Sequence, residues 1–395
     1  MNDPIKSKYI LRKITTFAYI SGIPYLWYEE LGWPKQLTNF HDKITNILTV
    51  LLCIFMSLEI LALFTQKNMN NQQSSDALKY AISQPIFFMN FFSFVYYKEE
   101  VRILFYNLTN SMSTYHRDEE VERKLVKKIK FYVSAFISVA IAASMSAGLD
   151  GLWRVLEKDD TFTTVITAWP DVDDRSLAAG IGRIIAFIMW CIHTVRFVGG
   201  VTIVVALTVC VCHQYKYLQS YFYSLDKIFE INCSQSVKEE EYEKGLLIGV
   251  KLHNNIIRYT QDLCNVCNIA YGGQIVVNVT VLVILMVQMQ NGNRQFMLVL
   301  TCAIMVSALL VLNGFYMWNL GDITVEASEV CTAMYMSGWE NCTRRSSVRV
   351  RKILMVAMTQ AQKEVTIKTL MILQVSYASY VSIVKFSYSV FSLIY

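Results

Sequence analysis

Apolar runs long enough to cross a bilayer alternate with polar stretches along the whole chain. A helix needs about 20 such residues to span the hydrocarbon core. Seven segments qualify: 44–64, 80–97, 131–152, 179–212, 268–290, 295–319 and 365–395. The second is short and contains Gln84, Pro85 and Asn90. The fourth is too long for one crossing, since 34 residues of helix rise about 50 Å against a core of about 30 Å. Gly199 and Gly200 invite a division there, but 201–212 alone is too short to cross. The segment therefore reads as one helix that continues into water.

Seven crossings leave the two termini on opposite sides. Lysine and arginine are almost equally dense in the two sets of connecting segments, so their totals do not decide the orientation. Local clusters beside the helix ends do: Arg123-Lys124-Leu125-Val126-Lys127-Lys128-Ile129-Lys130 precedes the third span and 344–352 precedes the seventh. The connection 153–178 is instead acidic, with Glu157, Asp159, Asp160, Asp171, Asp173 and Asp174. These features place the N-terminus in the cytoplasm and the C-terminus outside. The fold class that follows is an all-α membrane protein of seven transmembrane helices. It divides into a cytoplasmic N-terminal segment (1–43), six spans (44–319), cytoplasmic anchor segments (213–267 and 320–364) and a seventh helix (365–395). Residues 1–43 have neither the apolar core nor the small-residue cleavage site of a signal peptide.

Composition agrees. Hydrophobic residues make up 54% and charged residues 17% of the 395 positions, and the mean hydropathy is +0.35. A soluble protein carries about a quarter of its residues as charge. The net charge of +5 follows the membrane asymmetry and implies no nucleic-acid partner. None of the ten cysteines falls in an outer connection, so no external disulfide is expected. Cys264 and Cys267 have metal-like spacing, but no second pair completes four ligands. No metal and no cofactor are expected. The fingerprints of hydrolases, metalloproteases, P-loop and dinucleotide enzymes are missing from the sequence.

Ionisable residues inside spans ask for a reason. Arg183 is near enough to the end of its helix to snorkel. Arg196 and His193, one turn apart, either face a cavity or pair with Glu59 or a backbone carbonyl. In the last span Ser376, Ser379, Ser382, Lys385, Ser389 and Ser392 recur at three- and four-residue steps, which from Ser379 onward form one polar arc. Such an arc serves either close helix packing or a water-lined path. Large apolar groups collect in the outer halves of other spans: Phe87, Phe88 and Phe91 on the second, Ser144, Gly148 and Trp153 near the end of the third, and Met189 beside His193 on the fourth. Such residues either pack helices or line an apolar pocket for a small volatile or lipid-like ligand. The 17 methionines suit a cavity that accepts varied shapes. The helical extensions at 213–230 and 237–267 mix charge with apolar periodicity, as solvated helices or a subunit-joining bundle would.

The carboxyl-terminal third resembles a known family. Gly321-Asp322, Glu326-Ala327-Ser328, Ala333-Met334-Tyr335-Met336-Ser337-Gly338-Trp339 and the closing Phe386-Ser387-Tyr388-Ser389-Val390-Phe391-Ser392-Leu393 resemble motifs of insect odorant receptors. Gly22-Ile23-Pro24-Tyr25-Leu26-Trp27 is similar to that family's short glycine–proline segment. The chain lacks the extended loop of the shared co-receptor and is closer to a tuning receptor. The resemblance implies a heterotetrameric, odour-gated, non-selective cation channel formed with the co-receptor in the plasma membrane of a sensory neuron dendrite, with membrane lipid around it. It also implies a volatile-ligand site among the second to sixth spans. Subunit contacts would run through the cytoplasmic anchor, with Tyr335 and Trp339, and the gate would lie near Val390, Phe391, Leu393 and Ile394. A gustatory-type channel of the same superfamily, or a G-protein-coupled receptor of opposite orientation, are the alternatives.

Overall fold

The computed structural model describes residues 6–111, 114–158, 160–291, 296–344, 346–370 and 373–394. Helices dominate: α1 (Lys6–Ile20), α2 (Lys35–Thr65), α3 (Asn71–Tyr96), α4 (Lys98–Asn110), α5 (Glu119–Lys158), α6 (Leu177–Leu225), α7 (Gln235–Asn291), α8 (Phe296–Tyr335), α9 (Ser346–Ala361) and α10 (Tyr377–Ile394). A small hairpin of β1 (Lys368–Thr369) and β2 (Leu373–Gln374) precedes α10. Among the described residues five helices, α2 and α5 to α8, are long and apolar enough to cross a membrane. The expected second and seventh spans fall on α3 and α10.

The 49-residue α6 is continuous, about 74 Å at 1.5 Å per residue. It is the central column. Every residue from Val198 to Gln214 is buried, as expected for a helix that is apolar all round. Packed around it are α8, α7, α5, α1 and α3. Gly199 and Gly200 do not interrupt it, because they lie where Ser21 and Phe94 approach closely.

Two boundaries differ from expectation, and the amino-terminal residues pack onto the bundle. Here α1 lies against α5 and α6, and Leu26 and Trp27 are fully buried. Trp27 stacks on Tyr28 at 4.6 Å, and Arg102 Nε donates to its carbonyl at 3.1 Å. The second span starts at Asn71 rather than Tyr80. Asn70 and Gln73 form a reciprocal capping box, each side chain accepting from the other's backbone N–H at 2.8 and 2.9 Å, which satisfies donors the first turn leaves open.

The seventh segment is not one helix over 365–395. The β-branched run Val365-Thr366-Ile367 favours extended backbone, and β1 and β2 follow it. Asn268 holds this corner: its side chain accepts from Leu370 N–H at 2.8 Å and its carbonyl from the Thr369 hydroxyl at 2.8 Å. The helix begins only after Ser376, whose hydroxyl caps Ser379 N–H at 3.2 Å.

The connection between α5 and α6 folds down against the bundle. Gln66 donates to the carbonyls of Thr167 and Pro170, both at 2.9 Å, and accepts from Val172 N–H at 3.1 Å. Arg183 does not snorkel outward. It is buried, donating to the carbonyls of Asp171 at 2.6 Å, Val172 at 3.2 Å and Asp174 at 2.7 Å. Three carbonyls in one place offer the guanidinium more than the interface would.

Candidate functional site

An apolar cavity of about 150 Å³ lies among α3, α5, α6, α7 and α8. That is the size of an apolar protein cavity that admits a benzene-sized molecule. Each wall is one helix face. From α3 come Lys79, Tyr80, Ser83, Gln84 and Phe87, from α5 Phe136, Val139, Ala140, Ala143 and Ser144, and from α8 Met305, Ala308, Leu309 and Leu312. On each helix these residues recur at three- and four-residue spacings, which share a helix face. Trp190, Thr194, Phe197 and Val198 of α6 and Val277 and Val281 of α7 close the space. Phe87 and Phe197 stack with centroids 3.9 Å apart, and Tyr80 meets Trp190 edge-on at 5.7 Å. The Thr194 hydroxyl already donates to the Trp190 carbonyl at 3.0 Å.

A buried charge network adjoins this cavity at the end nearest the α5–α6 connection. Lys79 Nζ donates to Asp76 Oδ1 at 2.8 Å and Gln288 Nε2 to the same oxygen at 2.9 Å. Arg154 reaches Asp76 Oδ2 at 3.6 Å and binds Asp150 through two nitrogens, Nε at 2.9 Å. All four charged residues are buried. Two acids face two bases, so the charges balance. Placing 65–79 and 153–178 in water concealed Asp76, Lys79 and Arg154 from sequence reasoning, while Asp150, inside the expected third span, was passed over. The spacing of Asp150 and Arg154, and of Asp76 and Lys79, on apolar helices was its available signal.

Of the residues expected to bind ligand, Phe87 and Ser144 line the cavity. Phe88 faces the neighbouring cluster of Leu52, Phe55 and Trp190, and Met189 packs against the same cluster. Phe91 lies under Arg196, whose guanidinium sits 4.6 Å from the ring. His193 is buried edge-on to Phe87 and Phe88, at 6.5 and 6.1 Å. Gly148 borders a separate, more open recess of about 580 Å³ with Phe162 and Arg183, and Trp153 is exposed. Arg196 does not pair with Glu59. It donates to the Thr49 hydroxyl at 2.9 Å and the Thr45 carbonyl at 3.4 Å, and neither Glu59 oxygen has a hydrogen bond among the described residues.

At the opposite end, α10 meets α8. The Tyr377 hydroxyl donates to Asp322, which also binds Lys128 of α5. Gly321 leaves room for the Tyr377 ring, since a Cβ there falls 2.8 Å from it. The serine arc, from Ser379 through Ser382, Lys385 and Ser389 to Ser392, faces out of the chain, while Ser387 is buried. Val390 is half-buried. The side chains of Phe391, Leu393 and Ile394 lie outside the described residues. Of the expected anchor residues, Tyr335 is exposed and 6.2 Å from Trp339, over which Arg351 stacks at 5.7 Å.

The structure of the insect olfactory receptor OR5 from Machilis hrabei superposes with a TM-score of 0.80 at 13% identity, over 98% of this chain and 97% of that one. The structure of the same receptor in complex with eugenol gives the same values. At that identity the likeness establishes the fold. No curated protein matches the sequence. The family model for the 7tm odorant receptor matches residues 70–388. Sharing that family's sequence pattern over most of its length and its helical bundle throughout, this chain belongs to the seven-transmembrane odorant receptor family, transmembrane proteins of olfaction.

Proposed function

We propose that this chain is the odour-binding subunit of a ligand-gated, non-selective cation channel, assembled with a shared co-receptor in the plasma membrane. Its N-terminus is cytoplasmic, its C-terminus extracellular, and membrane lipid surrounds the bundle of spans carried by α2, α3, α5 to α8 and α10. The observation that carries the reading is the apolar cavity among five helices of an odorant-receptor bundle. Small-molecule sites are concave, mostly apolar and furnished with few polar groups, and this one suits a volatile about the size of a single ring. The related receptor from Machilis hrabei has been seen with eugenol, which supports a small ligand here too.

Conduction is assigned to α10. Among the described residues no helix covers its arc from Ser382 to Ser392, so that arc faces either a pore or another subunit. An apolar ring formed by Val390, Phe391, Leu393 and Ile394 would gate by dewetting. The helices beyond the bilayer, with Tyr335 and Trp339 at their surface, form the anchor between subunits. Cells expressing the chain with and without the co-receptor, tested against an odour panel, examine this directly. Odour-evoked cation current is expected only with both. Current from this chain alone removes the obligate partner, and a response carried through G proteins without channel current removes the channel.

A further inference from the structure

We infer that the cavity selects neutral, ring-sized volatiles bearing one hydrogen-bond acceptor, and that the buried ammonium of Lys79 is the donor that reads it. This rests on the cavity being the odour site. Among its described lining residues Lys79 alone carries a charge, and it is 6% exposed. Its Nζ lies 2.8 Å from Asp76 Oδ1, 3.9 Å from Met305 Sδ and 4.7 Å above the Tyr80 ring. Tyr80 and Met305 both line the cavity, so the ammonium sits in the wall between them.

An ammonium has three N–H donors. One is taken by a carboxylate. A thioether is a weak acceptor and a ring face only a diffuse one. A buried donor short of a full partner makes a strong demand for an acceptor. A ligand carbonyl, ether or hydroxyl oxygen reaching past Met305 meets that demand, while the ring lies along Phe87 and Phe197. Asp76 cannot swing away to compete, because Gln288 and Arg154 hold it from the other side.

The charge balance sets the class further. Asp76 and Asp150 offset Lys79 and Arg154, and Glu59 does not line the cavity. A carboxylate ligand would add an uncompensated buried charge, and an amine would face the ammonium. A neutral acceptor adds neither.

Three probes separate these cases: acetophenone, cumene (the same shape without the oxygen) and benzoate. Their equilibrium binding is measured in membranes holding the chain with its co-receptor, with the co-receptor alone subtracted. Acetophenone is expected to bind at least about tenfold more tightly than cumene, as a hydrogen bond to a charged group warrants, and more tightly than benzoate. The paired change Lys79→Met with Asp76→Asn keeps the site neutral. It is expected to bring acetophenone and cumene within about twofold of each other while cumene binding persists. Equal affinity in the unmodified receptor, binding by neither included, overturns the proposal, as does benzoate binding as tightly as acetophenone. So does a preference that survives the paired change. Ala143→Phe, which fills the cavity from α5, keeps the two readings distinguishable. If it abolishes binding while the preference survives loss of Lys79, only the donor role falls. If it leaves binding intact, the cavity itself is not the site.

Discussion

Single residues explain why particular motif positions carry the types they do. Gly338 has φ +85°, and a Cβ there would fall 2.2 Å from Asp226 Oδ1 and 2.9 Å from its Cα. Beside it the Ser337 hydroxyl bonds Tyr242 at 2.6 Å. Gly338→Ala should therefore cost about 1–3 kcal/mol through left-handed backbone and overlap together. A lowered thermal midpoint of the detergent-solubilised protein would register it. Gly180→Ala is the control. It has open space around its Cβ and lies inside a helix, so the midpoint should hold or rise slightly. An equal loss from both would refute the assignment.

His253 of the anchor, buried and pushed down to about 4 by desolvation, carries a pH dependence. Its folded value lies below the ordinary value of 6.5, so the unfolded chain binds the proton more readily. The neutral form's contribution is complete above about pH 6.5 and is lost as pH falls toward 4, by roughly 3 kcal/mol at most. A His253→Gln variant should show a flatter stability profile across that window. An identical profile would mean that other groups set it.

Elements were legible in the sequence to the extent that their pattern was periodic and uninterrupted. The continuous α6 followed from length and hydropathy alone. The hairpin before α10 did not, because its conformation is set by Asn268, a hundred residues away. The start of α3 was hidden because Asp76 and Lys79 read as loop charges until α5 brings Arg154 and Asp150 against them. The same blindness affected the cavity. Phe87 and Ser144 were found as bulky or small groups on apolar helices, but which face of α5 and α8 turns inward depends on packing against α6. Other motif residues have their physical account at this scale: Gly321 and Asp322 accommodate Tyr377, joining α8 to the first turn of α10. Tyr377→Phe removes a hydrogen bond to a carboxylate, worth about 1.5–3 kcal/mol. With the channel role assigned to α10, that variant should change resting current and odour sensitivity at unchanged surface expression. Unaltered gating would show that this contact only packs.

The whole molecule is a column, α6, around which α3, α5, α7 and α8 leave one apolar space near one end and knit into a solvated bundle at the other. Under the proposed function such a plan would separate ligand binding from subunit assembly, with α10, which touches α7 and α8, between them. With the proposed orientation, an N-terminal epitope should stain only permeabilised cells, and staining of intact cells would invert the account. The most direct test of the central claim is odour-evoked current from the chain and co-receptor with Ala143→Phe filling the cavity. The account predicts that current to effective odours disappears while the receptor still reaches the cell surface. Current of unchanged size and sensitivity would contradict it.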